Sequence, residues 1–174
     1  MDKQKLIQRL KEIGVVENRQ VTLKNAGEST IYVDIKKAYG YPDILREITY
    51  LMHEKIDKTT TVVAAQGFGA IPLATALSKD YGYKLTLVRE KPKNHGLKNL
   101  LEGYIPNKDD KVFIVDDVYS TGDSIRDVLE ALEPTLAEIT GCGVVVARDH
   151  MGLGLHQYNL MTLEELLKQS KKCD

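Results

Sequence analysis

Apolar residues recur every three or four positions in two segments near the start of the chain, a spacing that predicts two helices. The first segment spans residues 3–13 and the second spans residues 42–56, where Pro42 suits the first turn of a helix. Two short runs of β-prone residues, 21–23 and 31–33, lie between these segments on either side of a turn. The start of the chain is therefore expected to form a helix, a pair of strands and a second helix.

Beyond residue 60 the pattern changes to short runs of β-prone residues, nearly all of them apolar. Runs of this kind are typical of strands that are buried on both faces of a sheet. There are four of them, at residues 61–65, 85–88, 112–115 and 144–147. Helical patterns at 70–79 and 124–132 separate some of the runs. This alternation predicts an α/β fold with a parallel sheet flanked by helices.

We expect one structural domain built from two parts. Residues 1–40 would form a small N-terminal hood element, and residues 41–174 would form the α/β core. A capping box at 162–165 predicts a last helix, and His53, on the charged face of the second helix, is expected to be solvated. Because ligands bind at the carboxyl ends of the strands in such sheets, we expect function in the segments that follow the strands.

The most informative segment follows the third apolar run and reads Val115-Asp116-Asp117-Val118-Tyr119-Ser120-Thr121-Gly122-Asp123-Ser124. Two adjacent carboxylates repel each other and favour cations or hydroxyl donors nearby. The hydroxyls and N–H groups of residues 120–124, directly before a helix, suit a phosphate monoester. Ser120 or Thr121 can also serve as a helix N-cap. The segment lacks the GxxxxGK[ST] pattern, so it is not a Walker phosphate loop.

Two other segments after strands leave alternatives open. Residues 66–72 fit a tight strand-to-helix turn or an anion-binding turn. They fit a dinucleotide fingerprint poorly, because Pro72 stands where the third glycine belongs. Residues 89–98 carry four Lys or Arg and one acidic residue. They form either a solvated surface loop or a basic flap that closes on a phosphorylated ligand.

Composition excludes several classes of protein. The chain has 174 residues, a net charge of −1 and 43% hydrophobic residues, which is typical of a globular protein. A protein that holds nucleic acid by bulk electrostatics usually has a basic excess, so no nucleic-acid partner is expected. No run approaches the ~18 apolar residues of a membrane span, and the charged start predicts no signal peptide. Two cysteines, Cys142 and Cys173, do not suggest a disulfide scaffold, so we expect a cytoplasmic protein with Cys142 buried.

Together these segments resemble the type I phosphoribosyltransferase family. Residues 112–124 resemble its phosphoribosyl-pyrophosphate signature of four apolar residues, two acids and a Thr/Ser-Gly phosphate loop. Three further features resemble the orotate branch of the family: the flap 89–96 followed by 101–103, the hood segments 22–24 and 31–34, and Arg148 after the last apolar run. The resemblance implies transfer of the 5-phosphoribosyl group from phosphoribosyl pyrophosphate to orotate, which gives orotidine 5′-monophosphate and pyrophosphate.

The resemblance also implies roles for individual residues. The phosphoribosyl part of the substrate would be bound by one loop: Val118, Tyr119, Ser120, Thr121, Gly122, Asp123 and Ser124. The ribose hydroxyls would meet Asp116 and Asp117, and the pyrophosphate would meet Gln66 and Gly67. Three flap residues would cover the pyrophosphate and act in catalysis with the acid pair: Arg89, Lys93 and His95. Orotate would be contacted by Lys24, Ser120 and Arg148.

The chemistry of this transfer agrees with those residue types. Breaking the bond between C1 and pyrophosphate leaves an electron-poor sugar and a highly charged leaving group, which calls for Mg²⁺ and cations on the pyrophosphate. We expect Mg²⁺ to be held mainly through the pyrophosphate, with Asp116 and Asp117 in indirect contact. The resemblance further implies a homodimer in which the flap reaches into the site of the neighbouring subunit.

Four positions depart from the family pattern. Glu90 stands where many members have lysine, Gly69 where some have lysine, and Ser120 where threonine is usual. Asp123 replaces a small residue, and we expect its side chain to face away from a bound phosphate. These departures leave two alternatives, namely a purine-base phosphoribosyltransferase of the same fold and a non-catalytic regulator that senses phosphoribosyl pyrophosphate.

Overall fold

The computed structural model describes residues 2–23, 27–90 and 100–168, of which 19–23 and 27–29 are described by their backbone only. The elements in these ranges are α1 Lys3–Glu12, β1 Val16–Leu23, β2 Gly27–Val33, α2 Lys36–Tyr39, α3 Pro42–His53, β3 Val62–Gln66, α4 Gly67–Tyr81, β4 Lys84–Val88, β5 Leu101–Gly103, β6 Lys111–Tyr119, α5 Asp123–Leu132, β7 Glu138–Ala147, β8 Gln157–Thr162 and α6 Leu163–Leu167. None of these helices is long and apolar enough to cross a lipid bilayer.

The larger sheet has six strands in the order β5-β4-β3-β6-β7-β8, and all except β5 run parallel. The predicted parallel sheet is thereby confirmed, with one short antiparallel strand added at its edge. Val63 of β3 pairs with Leu85 of β4 on one side and with Phe113 of β6 on the other. Because the parallel strands share one direction, the carboxyl ends of β3, β4, β6 and β7 meet at one edge of the sheet.

Alternate residues of the central strands face opposite helical layers. Val63 and Phe113 belong to a hydrophobic cluster with residues of α1, α3 and α4, whereas Val62 and Val112 belong to a second cluster with residues of α5. Both faces of the sheet are therefore covered. This double burial explains why the runs of β3 and β6 show no alternation of apolar and polar residues.

The segment expected to form the hood contains two different parts. Strands β1 and β2 pair antiparallel in a separate two-stranded sheet, with Val16 opposite Val33. Helix α1 instead packs into the core, where Leu6 and Leu10 are fully buried in the same hydrophobic cluster as α3. Both strands are longer than predicted. Residues 17–20 of β1 were missed because they are polar and carry no β-prone signal.

The predicted helices are present, and some of their ends differ from the expected positions. Helix α4 begins at Gly67 and helix α5 at Asp123, three residues and one residue earlier than predicted. The capping box is confirmed, because the Thr162 hydroxyl accepts a hydrogen bond from the N–H of Glu165 at the start of α6. Three short elements have no counterpart in the prediction, namely α2, β5 and β8.

Two single-residue expectations have different outcomes. Cys142 is buried as expected, and burial raises the pKa of its thiol to about 12. The expectation for His53 is wrong, because its ring stacks on Tyr81 with centroids 3.7 Å apart and its Nδ1 lies 2.9 Å from the hydroxyl of Tyr83. Tyr81 ends α4 and Tyr83 lies between α4 and β4, so the periodicity of α3 gives no indication of them.

A buried carboxylate connects the amino ends of the three central strands. Asp110, directly before β6, is 4% exposed. It accepts hydrogen bonds from the hydroxyl of Tyr104 at 2.7 Å, from Nζ of Lys84 and the hydroxyl of Thr61 at 3.0 Å each, and from the N–H of Asn107 at 3.1 Å. Burial alone would raise the pKa of Asp110, but these donors outweigh it and lower the pKa to about 2. The amino edge of the sheet is therefore held by one ionised side chain.

Candidate active site

The segments selected from the sequence meet at the carboxyl edge of the large sheet. Gln66 ends β3, Tyr119 ends β6 and Ala147 ends β7, so the residues that follow them lie at the same edge. Val88 ends β4 at this edge too, directly before Arg89. Parallel α/β sheets bind their ligands at this position.

The loop after β6 forms a small cradle, residues 120–124, at the start of α5. Gly122 is the N-cap of α5 and has a φ of +83°, a left-handed conformation that favours glycine. A Cβ at this position would lie 2.7 Å from Cε2 of Tyr119 and 3.1 Å from Cδ2 of Leu153. The cradle encloses about 50 Å³, and its N–H groups at a helix N-terminus suit a phosphate group. Its lining consists of Asp116, Val118, Ser120, Thr121, Gly122, Asp123 and Ser124.

Asp123 remains in the lining of the cradle, but its charge is compensated. Its Oδ2 accepts a hydrogen bond from the hydroxyl of Thr121 at 2.7 Å, and its Oδ1 lies 3.1 Å from Nη1 of Arg126. The same Nη1 donates to the carbonyl oxygen of Thr121 at 2.7 Å. The side chain expected to face away from the loop therefore stays within it, where Arg126 neutralises the carboxylate.

Asp116 and Asp117 lie near the carboxyl end of β6, before the cradle. The N–H of Asp117 donates to Oδ1 of Asp116 at 2.8 Å, and the N–H of Val118 donates to Oδ1 of Asp117 at 2.9 Å. Asp116 is 8% exposed, and this burial, together with the charge of Asp117, raises its pKa well above that of an ordinary carboxyl group. Because the two groups repel each other when both are ionised, the pair favours a nearby cation or hydroxyl donors.

The turn after β3 packs directly against the acid pair. A Cβ at Gly69 would lie 2.2 Å from Oδ2 of Asp117, so glycine leaves the room that this carboxylate occupies. The hydroxyl of Tyr39 donates to the carbonyl oxygen of Gly69 at 2.9 Å. Burial and the charges of Asp117 and Asp116 raise the pKa of Tyr39 well above its usual value, so the hydroxyl remains a donor. Tyr39 is a site residue that the sequence did not indicate.

The basic loop begins with Arg89 at the carboxyl end of β4. Its Nε lies 2.8 Å from Oε1 of Glu102, and its carbonyl oxygen accepts a hydrogen bond from the side-chain amide of Gln66 at 3.3 Å. The structure thereby brings the backbone of Arg89 beside the turn after β3. Three other predicted site residues lie outside the described residues, and their roles stay predictions: Lys24, Lys93 and His95.

Arg148 connects the core to the hood. Its backbone N–H donates to the carbonyl oxygen of Tyr119, and its Nη1 donates to the carbonyl oxygen of Ile31 in β2, both at 3.0 Å. A cavity of about 560 Å³ lies beside Arg148, with His150 and Asn159 also in its lining. The arrangement places a cation at the boundary between hood and core.

The acid pair offers a donor set that suits a hard cation. Mg²⁺ prefers oxygen ligands and commonly binds through one or two carboxylates together with phosphate and water. Burial, and after it the charge of Asp117, raises the pKa of Asp116, and a nearby cation would favour its ionised form. Within residues 2–23, 27–90 and 100–168, no group of three or more His, Cys, Asp or Glu side chains can hold a metal ion by itself. A Mg²⁺ ion at the acid pair would therefore need further oxygen ligands, such as phosphate and water.

Comparisons with known sequences identify the family. The sequence model of the phosphoribosyl transferase domain matches residues 34–166. The orotate phosphoribosyltransferase of Methanocaldococcus jannaschii is 38% identical over 149 residues, which cover 85% of this chain and 84% of the relative. The orotate phosphoribosyltransferase of Pyrococcus furiosus is 34% identical over 175 residues, which cover 95% of this chain and 96% of the relative.

Solved structures have the same fold. The orotate phosphoribosyltransferase of Mycobacterium tuberculosis in complex with Fe(III) dicitrate has a TM-score of 0.79 and 28% identity, and the match covers 97% of this chain and 100% of that chain. The orotate phosphoribosyltransferase of Aeropyrum pernix has a TM-score of 0.81 and 26% identity, with 93% and 96% covered. The resemblance seen in the sequence is thereby confirmed, and the chain belongs to the phosphoribosyltransferase family, in its orotate phosphoribosyltransferase branch.

Proposed function

We propose that the protein transfers the 5-phosphoribosyl group from phosphoribosyl pyrophosphate to orotate, giving orotidine 5′-monophosphate and pyrophosphate in de novo pyrimidine synthesis. The observation that carries this proposal is the meeting of the acid pair, the cradle at 120–124 and Arg148 at one edge of the sheet. Family membership supports the reaction class, and the relatives that share most of the chain support orotate as the base.

The cradle and the acid pair act on the sugar. In the transfer, N1 of orotate releases its proton to water and bonds to C1, while the bond from C1 to the pyrophosphate oxygen breaks and pyrophosphate leaves with the electron pair. N–H groups at the start of α5 and the hydroxyls of Ser120 and Thr121 bind the 5′-phosphate and fix the position of C1. Asp116 and Asp117 accept hydrogen bonds from the ribose hydroxyls and place negative charge beside the electron-poor ring.

The turn after β3 and the flap act on the leaving group. N–H groups around Gly67 at the start of α4 face the pyrophosphate, and Arg89 adds a cation beside them. Lys93 and His95, assigned by the resemblance, complete the flap that covers the pyrophosphate and excludes water. Mg²⁺, when bound, neutralises charge on the pyrophosphate. The protein itself needs no nucleophile for this chemistry.

Arg148 is the proposed selector of the base. Its guanidinium provides a cation for the carboxylate of orotate, at the boundary of hood and core. A purine base carries no carboxylate and could not make this contact with the guanidinium. Arg148 therefore favours orotate over the purine alternative.

We also propose that the protein is a homodimer. Phe68 is 90% exposed beside the site, and together with Ile71 and Leu87 it lines an open apolar groove of about 500 Å³ next to Arg89. A large apolar side chain exposed in a groove is typical of a protein contact. A second copy is the occupant that would also bring its flap to the pyrophosphate, as the family resemblance implies.

The dimer is tested by light scattering on Phe68→Glu. This variant should be monomeric and should lose most of its turnover, because the site would lack the partner's flap. The matched control is Leu136→Glu, which changes a residue 77% exposed outside the groove and should stay dimeric and active. A Phe68→Glu variant that remains dimeric would contradict the assigned interface.

The activity is tested with a panel of bases, Mg²⁺ and phosphoribosyl pyrophosphate, with the absorbance of orotate as the readout. Orotate should be consumed only when every component is present, and chelation of Mg²⁺ should stop the reaction. Arg148→Ala should lose orotate turnover and still bind phosphoribosyl pyrophosphate, whereas Arg46→Ala, on an exposed face of α3, should behave as the parent.

Two outcomes of the panel would favour the alternatives. Faster turnover of hypoxanthine or adenine than of orotate would support a purine enzyme. Binding of phosphoribosyl pyrophosphate without turnover of any base would support a sensor. The cytoplasmic location and the absence of a nucleic-acid partner stay predictions from composition.

A further inference from the structure

The short helix α2 carries a tyrosine that reaches the active site from the hood side. The hydroxyl of Tyr39 donates to the carbonyl oxygen of Gly69, which lies 30 residues further along the chain in the first turn of α4. Gln66 and Gly67, the residues proposed to face the pyrophosphate, lie three and two positions before Gly69 in the same turn. The hydrogen bond from Tyr39 therefore fixes the position of the turn that they form.

The turn held by Tyr39 lies in contact with the acid pair. An added Cβ at Gly69 would be 2.2 Å from Oδ2, 2.3 Å from Cγ and 2.5 Å from Oδ1 of Asp117, so the carboxylate lies flat against the backbone of the turn. Glycine places no side chain of its own between the turn and this carboxylate. The spacing between turn and acid pair is thus set by whatever holds the backbone of Gly69 in place.

We propose that Tyr39 is a positioning residue for the transfer reaction, which holds the pyrophosphate-binding turn at a fixed distance from Asp117. The inference rests on the proposed function, because the turn and the acid pair then act on the two sides of one breaking bond. The turn receives the leaving pyrophosphate while Asp117 faces the ribose. A misplacement of about 1 Å in such a site can cost on the order of 10²-fold in rate.

The test compares Tyr39→Phe with Tyr41→Phe. Tyr39→Phe keeps the ring and removes only the hydroxyl that holds Gly69. Tyr41 lies two residues away and is 45% exposed, which makes it the matched control. We expect Tyr39→Phe to bind phosphoribosyl pyrophosphate about 3–10-fold more weakly and to lower kcat about 5–10-fold, with KM for orotate unchanged. Tyr41→Phe should match the parent, and both variants should melt within about 2 °C of it.

Calorimetric titrations separate positioning from a general loss of structure. Orotidine 5′-monophosphate carries the 5′-phosphate and the base but no pyrophosphate, so its affinity for Tyr39→Phe should equal that for the parent. Weakening of both ligands to the same extent, or of neither, would overturn the proposal. If the parent binds phosphoribosyl pyrophosphate but turns over no base, the proposed function fails while the binding comparison still tests Tyr39.

Discussion

Replacing Asp110 with alanine is expected to destabilise the fold strongly and to leave the chemistry of the site intact. The carboxylate receives four donors from the starts of β3 and β4 and from the segment that leads into β6. It lies at the amino edge of the sheet, whereas the acid pair lies near the carboxyl end of the same strand β6. Stability and catalysis should therefore respond separately to this change.

The size of the effect follows from burial and from the kind of donor. A hydrogen bond to a charged group is worth ~1.5–3 kcal/mol, but four of them do not simply add, since the side chain of Lys84 is 47% exposed and regains water. Removing one partner from a buried charged network costs about 3–5 kcal/mol, and we expect Asp110→Ala to fall in that range. For a chain of this length the melting temperature should drop by about 6–20 °C.

The pH dependence of the free energy of unfolding independently checks that the ionised form of Asp110 stabilises the fold. The pKa of Asp110 is about 2 in the folded protein, below the 3.8 of a free aspartate. Its contribution to the free energy of unfolding is therefore fully present above about pH 5 and is lost as the pH falls towards 2. The stability difference between the parent and Asp110→Asn should shrink over that interval.

Urea unfolding at pH 7 and pH 3, together with steady-state kinetics at 25 °C, provides the measurement. Asp109→Ala is the control, because it removes the same charge from an adjacent exposed residue and should change stability by less than about 0.5 kcal/mol. Equal stability of the two variants at pH 7 would refute the role of the buried network. A change in kcat/KM of Asp110→Ala beyond about 3-fold would refute the separation of stability from catalysis.

Three further predictions concern the active site. Gly122→Ala should bind phosphoribosyl pyrophosphate at least about 10-fold more weakly, because the cradle has no space for a Cβ and the strained φ costs on the order of 1–3 kcal/mol. Its control is Gly152→Ala, because no atom lies within 4 Å of a Cβ added there. Arg126→Ala should raise KM for phosphoribosyl pyrophosphate, because the carboxylate of Asp123 is then uncompensated beside the 5′-phosphate. Adding Asp123→Ala should restore KM, and a double variant with KM still raised would contradict the electrostatic explanation. Lys93→Ala should cut turnover far more than thermal stability, and equal turnover in variant and parent would show that the flap is assigned wrongly.

The central sheet was predictable because its strands are buried on both faces. Uninterrupted apolar runs are required there, and the runs around Val63 and Phe113 carried that signal. The acid pair and the cradle were predictable for a different reason, since their chemistry is compressed into ten consecutive residues. Arg89 and Arg148 followed from the resemblance, and the sheet brings both to the same edge.

The remaining features depend on contacts between distant segments. Strand β5 has three residues and exists as a strand because it pairs with β4. The stacking of His53 on Tyr81 and the hydrogen bond from Tyr39 to Gly69 each join residues about 30 positions apart. No local pattern encodes such pairs. Gly69 stood out in the sequence only because some family members have lysine there, and its packing against the carboxylate of Asp117 was not predicted.

The bond from Arg148 to the carbonyl oxygen of Ile31 has a consequence for exchanging parts between relatives. The residue proposed to select the base is oriented by the backbone of a strand more than a hundred positions earlier in the chain. If only the loop after β7 were transplanted, Arg148 would lose the carbonyl oxygen of Ile31 that orients its guanidinium. Base preference should therefore transfer between family members only when β2 and that loop are exchanged together. The two segments determine specificity jointly.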